Sequence, residues 1–459
     1  MSTTSSPNDA QPEKLLAASE TPQAPSAVRA PLKPLDVALA ELLVAAAPLS
    51  GFETVSTFEA DGRVLAHNLV AGLDVPAHDN SGMDGFALRS SDWHDASTEL
   101  TVNQRIPAGC SGTALAAMSA ARIFTGAPVP PGADAVVMQE DCTATATATA
   151  AASAGQAGHM GTVRVHVAPK PGQWIRRRGE DVASGAVVLR AGDRLGPAAL
   201  GMAASIGFAT LPVAPRVRVA LFSTGDELVM PGDVAPADMK PGAIYNSNRF
   251  FLRALLLRLG CTVTDLGIVP DNRAATIAAL QNASAAHDLI VTSGGVSVGE
   301  EDHIKPAVQA LGTLDLWQIA MKPGKPFAYG TVGRSGPASG SSPSAGATHF
   351  IGLPGNPVSS FVTFLLLVRP FILKLQGATC LSPQSIAVPV HFDWPRPDKR
   401  REFLRVRLNP AGGLDLFANQ SSGVLTSAVW GDGLVDLPAG HTVARGDLVQ
   451  FISLTSLLS

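Results

Sequence analysis

The stretch DLIVTSGGVSVGEEDHIKPAVQAL, residues 288–311, decides the fold. A short apolar run gives way to a turn bearing Gly294, Gly295 and Gly299, then to three consecutive acids, then to the helical run IKPAVQAL. Strand, turn and helix in that order form the unit of an open α/β sheet. The same alternation extends outward in both directions. Toward the N-terminus lie the strand RVRVALFS, the helix NRFFLRALLLRLG with Gly260 as its stop, the strand TVTDLGIV and the helix RAATIAALQNAS. Toward the C-terminus follow LWQIAMK as a fourth strand, then FAYGTV, then HFIGLP. A last helix opens at Asn356-Pro357, with Pro357 in the tolerated first turn, and ends near Gly377. This pattern predicts a mostly parallel sheet with helices on both faces.

The rest of the chain reads differently. Its 459 residues exceed what one core organises, so several domains are expected. Before residue 212 short strands, glycine and proline predict an irregular α+β region, and beyond residue 381 short strands and turns predict a small all-β domain. Residues 1–30 read as a polar, disordered tail. Residues 142–161 and 333–348 read as low-complexity hairpin insertions without chemistry. A net charge of −4 with pI near 6.2 argues against a nucleic-acid binder. Four scattered cysteines fit a reducing compartment rather than a disulfide framework or a zinc site. The start lacks the apolar core of a signal peptide, and the longest apolar run, residues 358–368, is too short to span a bilayer. These features predict a soluble cytoplasmic protein with no membrane partner.

Ligands of doubly wound sheets bind at the carboxyl ends of the strands. Successive strands there are followed by STGDEL with Glu227, by PDN with Asp271, by SGGVSVGEED, by MKPGKPF with Lys322 and Lys325, and by LPGNPVS. Singly, each loop has an ordinary structural explanation: Asp271 or Asn272 as a helix cap, or the acids at 300–302 as partners of a helix dipole. Five such loops at one rim exceed what capping requires. Gly294, Gly295 and Gly299 let backbone N–H groups approach an anion, Ser293 and Ser297 add hydroxyls, and Lys322 and Lys325 add charge. Acids beside a phosphate make sense if a divalent cation lies between, which nominates Glu227, Asp271 and Asp302 as Mg²⁺ ligands. No G-x-x-x-x-G-K-[ST] occurs and no G-x-G-x-x-G follows a strand, so neither an ordinary ATPase nor a dinucleotide site is indicated.

Three clusters in the first half hold chemistry-bearing residues: AHDNSGMDGFAL (77–88) with Asp84, IFTGAPVPPGAD with Thr125, and RRRGED with Arg176 and Asp181. With the rim loops they resemble, in order, the motifs of the molybdopterin molybdenumtransferase family, bacterial, plant and gephyrin-type. NSGMDGFA, FTGAPVPPGAD, RRRGEDV, STGDEL, SGGVSVGEED, KPGKPF and GLPGNPVS carry the likeness, which covers nearly all of the chain after its start.

The resemblance implies a multidomain α/β plus β protein. Its first, discontinuous domain would comprise 31–51, 71–78 and 177–212, and an elongated insertion 52–70 and 79–176. A doubly wound molybdopterin-binding domain would span 213–378, and a C-terminal β-barrel 379–459. It implies a homodimer whose cleft lies between one subunit's doubly wound domain and its partner's first half. The implied reaction joins molybdate to adenylylated molybdopterin with Mg²⁺ and releases AMP. Asp84, Thr125, Arg176 and Asp181 would come from the partner subunit. Glu227, Asp271 and Asp302 would serve the metal and phosphate, Lys322 and the Gly294–Gly295 turn the phosphate, with Pro354 and Pro357 beside them. Ser421 or Ser422 would help receive molybdate. Molybdopterin adenylyltransferase and molybdoenzyme maturation proteins are the implied partners. Gln318, where some bacterial relatives carry lysine, removes a positive charge. The NSG of NSGMDG, where relatives often carry alanine, is a harmless change. Alternative readings are a molybdopterin adenylyltransferase and a non-catalytic gephyrin-like scaffold.

Overall fold

The computed structural model describes residues 31–145, 160–295, 303–334 and 347–458. The expected tail, most of both insertions, and Ser297, Gly299, Glu300, Glu301 and Asp302 lie outside the described residues.

The doubly wound domain comprises β1 (Arg218–Thr224), α1 (Ser247–Arg258), β2 (Thr262–Val269), α2 (Arg273–Ala286), β3 (Leu289–Ser293), α3 (Ile304–Leu311), β4 (Gly312–Gln318), β5 (Pro326–Gly333) and β6 (Ala347–Leu353). The strand order is β2-β1-β3-β6-β5-β4. The pairs β1–β2, β1–β3 and β3–β6 are parallel, whereas β5 runs antiparallel to both neighbours. Every strand except β5 therefore ends at one rim. Local chemistry sets the helices. The Asn246 side chain accepts from the Arg249 N–H and the Asn272 side chain from the Ala275 N–H, capping α1 and α2. Gly260 at φ +75° stops α1 in the left-handed region that suits glycine. Leu252, Leu255 and Leu256 recur at helical spacing and are buried against Val219 and Leu221 of β1 in one apolar core.

The fourth strand is shorter than LWQIAMK predicts. β4 stops at Gln318, because the Ile319 N–H donates to Lys325 O and the Ala320 N–H to Lys33 O. Met321–Lys322 then pairs in parallel with Arg401–Glu402 of the C-terminal domain, so the KPGKP loop is pinned to that domain. The last helix, Pro357–Leu375, is long and apolar enough to cross a membrane by length and composition, which differs from the sequence expectation. Yet 83% of its apolar window is buried inside the protein, as befits a core helix.

The remaining parts depart from the expected boundaries. Residues 52–70 do not join the elongated insertion. Glu53–Ser56 pairs with Thr210–Val213 and Leu69–Val70 with Val187–Leu189, and Leu65 and Leu69 share a core with Leu195, Ala203 and Leu211. The helix Leu35–Ala45 likewise leaves the first domain and buries Leu35, Ala38 and Leu42 in the doubly wound core. The insertion is a six-stranded sheet that includes Gly85–Leu88, Ser119–Ile123 and Ala135–Met138. The C-terminal strands do close into a barrel. Arg401–Leu408, Gly433–Leu437, Leu448–Ser453 and Ser385–Pro389 pair in succession, and Val390 bridges to Leu414, whose strand returns to Arg401–Leu408.

Candidate active site

The carboxyl rim of the sheet opens into a cleft of about 740 Å³. Thr224, Gly225 and Glu227 reach it from the end of β1, Asp271 from β2, Ser293, Gly294 and Gly295 from β3, and Pro354, Gly355, Asn356 and Pro357 from β6. The expected convergence of the rim loops is thus present in the fold. The Glu227 carboxylate folds back over Gly225, where a Cβ would stand 2.4 Å from its Oε2. Gly225 at φ +141° lets the chain turn under that carboxylate. Glu227 is exposed and Asp271 half-buried. The glycine turn differs in one respect from its sequence reading. The Gly294 N–H is already donated to Leu353 O at 3.0 Å, so it is not an anion donor. Ser293 Oγ accepts from Asn248 Nδ2 at 2.7 Å, which leaves its own proton to donate.

A recess of about 300 Å³ shares Pro326, Asn356 and Ser359 with the cleft. Lys322, Lys325, Arg400, Gln420, Ser421 and Ser422 line it. Lys322 Nζ sits 3.0 Å from Glu402 and 3.2 Å from Asp398. Burial acts to lower the Lys322 ammonium, but those two carboxylates outweigh it and hold it above its ordinary value. Arg400 binds Asp398 through Nε and Nη2, both at 2.9 Å, and holds that carboxyl well below the usual range despite burial. Lys325 makes no ion pair among the described residues.

Comparison with known proteins agrees with this architecture domain by domain. Residues 33–207 match the family model described as MoeA N-terminal region (domain I and II), residues 220–374 the probable molybdopterin binding domain, and residues 387–454 the MoeA C-terminal region (domain IV). The chain is similar to the molybdopterin molybdenumtransferase of Haemophilus influenzae, 41% identical over 71% of this chain and 73% of that protein. It is 35% identical to molybdopterin molybdenumtransferase 2 of Mycobacterium tuberculosis over 91% of this chain and 98% of that one. The chain belongs to the molybdopterin molybdenumtransferase family. Among solved structures, the molybdopterin biosynthesis protein MoeA of Pyrococcus horikoshii superposes with a TM-score of 0.75 at 27% identity, covering 92% of this chain and all of that one.

Four of the residues that the molybdenumtransferase likeness nominates stand apart from the cleft within one chain. Asp84 accepts from both the N–H and the hydroxyl of Thr125, each at 2.8 Å, and these bonds hold its carboxyl below the ordinary value. In RRRGED, Arg177 pairs with Asp79 and Arg178 with Asp74, which leaves Arg176 exposed and without an ion pair among the described residues. Asp181 is exposed, its N–H donated to Val75 O. Arg176 pairs with Asn80 across a two-stranded ribbon leading into the insertion, so Arg176 and Asp84 share one neck of the molecule.

Sequence reasoning missed the run Asn246-Ser247-Asn248, whose three residues line the cleft. Asn246 is buried, and its Nδ2 has no hydrogen-bond partner among the described residues. The signal was available: two asparagines open a helix at the carboxyl rim, and only one is needed as a cap. Beside Gln318, Lys33 Nζ lies 4.1 Å from the ring centroid of Trp317 and pairs with Glu41.

Proposed function

We propose that this chain is a molybdopterin molybdenumtransferase that takes adenylylated molybdopterin and molybdate and releases AMP with the metal-loaded cofactor. The observation that carries the reading is the pairing of a nucleotide-sized cleft with a smaller, net-cationic recess that opens from it. Around the recess, Lys322, Lys325, Arg400 and the buried Arg405 outnumber the carboxylates Asp398 and Glu402, so a small oxyanion is the favoured occupant. The cleft falls in the range of small-molecule sites. It offers hydroxyls from Thr224 and Ser293 and the N–H of Gly295.

A divalent cation fits the donor set. Among the described residues no cluster of three acids, histidines or cysteines would hold a metal unaided. Two carboxylates in one cleft suit Mg²⁺, which takes one or two such ligands and fills the rest with phosphate oxygens and water. Glu227 and Asp271 would hold it, together with Asp302, and when bound it would neutralise charge on the phosphate that departs with AMP. The chain's own groups bind and orient. The hydroxyls and the Gly295 N–H fix the phosphate, and the recess holds the oxyanion beside the pterin. Asp84, Thr125, Arg176 and Asp181 would close the site from a second subunit, which accounts for their separation from the cleft in one chain. The relatives' name supports this reading over an adenylyltransferase or a scaffold.

The test is to supply purified protein with adenylylated molybdopterin, molybdate and Mg²⁺ and to measure AMP. Molybdate-dependent AMP release is expected. Release that ignores molybdate would refute the proposal.

A further inference from the structure

Of the 5 tryptophans in the chain, all but one are engaged. The Trp93 Nε1–H donates to Val165 O at 3.1 Å and the Trp394 Nε1–H to Glu402 at 2.9 Å. Trp317 lies against Phe327 and Tyr329, and Trp430 against Phe417 and the Arg407 guanidinium. The indole of Trp174 has neither a hydrogen bond nor a ring contact among the described residues, and the residue is 41% exposed. Its backbone is strained as well. Trp174 sits at φ +53°, in the left-handed region that suits glycine or asparagine and disfavours a bulky side chain. Among the described residues only Met118 shares that region without being glycine, and two hydrogen bonds hold it there: its N–H donates to Asp92 and its C=O accepts from Thr101.

The surroundings of Trp174 say what a free indole could serve. The Gly82 N–H donates to Trp174 O at 2.7 Å, and Gly82 lies two residues before Asp84. Next to it, the Ser81 N–H donates to Ala127 O and the Gly126 N–H to Ser81 O, both at 2.9 Å, in the turn that follows Thr125. On the other side of Trp174, Ile175 packs against the apolar core of the insertion, and Arg176 pairs with Asn80. The unengaged indole therefore shares one neck with Asp84, Thr125 and the exposed Arg176. Those are the residues read above as closing the cleft from a second subunit. The substrate of that reading carries two flat heteroaromatic rings, and an exposed aromatic side chain binds such rings by their π-faces.

We propose that Trp174 is a specificity-determining residue that stacks on a flat heteroaromatic ring of the substrate, pterin or adenine, held in the partner subunit's cleft. This rests on the neck closing that cleft. Stability and affinity then move in opposite directions on substitution, because asparagine and glycine relax the left-handed backbone but offer no ring.

The experiment measures AMP release against adenylylated molybdopterin and, separately, against molybdate. It uses wild type, Trp174→Asn, Trp174→Gly and Trp174→Phe, with Arg176→Gln as a second neck variant and a urea midpoint for each protein. Trp174→Asn and Trp174→Gly should match or exceed the wild-type midpoint. Their KM for adenylylated molybdopterin should rise about tenfold, the order expected for one lost stacked ring, while the KM for molybdate stays within about twofold. Trp174→Phe should keep most of the wild-type affinity. Fluorescence titrations with AMP alone and with molybdopterin alone name the ring, since quenching seen in wild type and lost in Trp174→Phe should appear with one of the two. A lower midpoint or failure to fold, with both KM values unchanged wherever they can be measured, would make Trp174 a structural residue. Weaker self-association on sedimentation with unchanged KM values would make it a subunit contact. Either result overturns the proposal. If Arg176→Gln slows AMP release and the Trp174 variants leave both KM values unchanged, the stacking role falls alone. If no neck variant changes AMP release, the reading of the neck falls with it. Should wild type release no AMP, the function proposed above falls on its own account, and the stacking role stands or falls by the quenching.

Discussion

Replacing Lys322 by methionine would expose how the recess is held together. Lys322 Nζ lies 3.0 Å from a Glu402 carboxylate that is 2% exposed, and 3.2 Å from Asp398. At that separation an effective dielectric near 20 gives about 5 kcal/mol of attraction. The Lys322 side chain is 40% exposed, so water screens a large part of this. Asp398 loses little, because Arg400 still binds it through two guanidinium nitrogens and a backbone N–H. Glu402 keeps only the Trp394 Nε1–H at 2.9 Å. A buried charge deprived of its counterion costs up to about 3–5 kcal/mol, and the screening brings the expected destabilisation to about 2 kcal/mol. Urea unfolding followed by tryptophan fluorescence suits the question, since Trp394 touches the orphaned carboxylate. The decisive arm is Lys322→Met combined with Glu402→Gln, which removes the uncompensated charge and should recover at least about 1 kcal/mol. A double variant as unstable as the sum of the two single ones would refute the ion-pair account.

Three further outcomes follow from particular contacts. Burial acts to raise the Asp288 carboxyl, but Arg218, at 2.7 Å, and then Arg334 outweigh it and hold it below its ordinary value. Its stabilising contribution is therefore complete above the ordinary carboxylate range and lost as pH falls through the depressed folded value. Urea midpoints for Asp288→Asn should be lower than wild type at pH 7 and should converge with it in acid; a constant difference across the series would contradict this. Gly324 has φ +108°, and a Cβ there would stand 2.3 Å from Thr363 Oγ1. Gly324→Ala should lower the unfolding free energy by about 2 kcal/mol in the same assay, combining backbone strain with overpacking, and an unchanged midpoint would be the contrary result. If the site is built from two subunits, Asp84→Asn and Glu227→Gln proteins, each strongly impaired alone, should regain AMP release after unfolding and refolding as a mixture; no recovery would contradict the shared site.

The sheet was legible because its signals are local. Apolar runs of strand length alternate with helical periodicity, Asn272 caps α2 and Gly260 stops α1, and these read correctly without tertiary knowledge. The loops at the rim followed from topology, since strands that run the same way must deliver Glu227, Asp271 and the Gly294–Gly295 turn to one edge. Non-local decisions were opaque. Nothing in LWQIAMK tells that Ile319 and Ala320 are claimed by Lys325 and Lys33 while Met321 and Lys322 leave for the barrel. Nor does composition assign residues 52–70 to the strands around 187–213 rather than to the insertion that follows. The Gly294 N–H illustrates a finer limit: a glycine turn promises free donors, but Leu353 on the neighbouring strand takes this one. Asn246 was missed because a capping role explained its side-chain oxygen and hid the unpartnered nitrogen.

The central claim is that Glu227, in the cleft at the sheet's rim, serves adenylate cleavage driven by molybdate. A single-turnover measurement tests it most directly. Protein preloaded with adenylylated molybdopterin is mixed with molybdate and Mg²⁺, and AMP is followed in wild type and Glu227→Gln. The account predicts a molybdate-triggered release in wild type that slows about 100-fold in the variant, the order expected when one charge-stabilising group is removed from an active site, while the preloaded substrate stays bound. Equal rates in the two proteins, with folding intact, would contradict it.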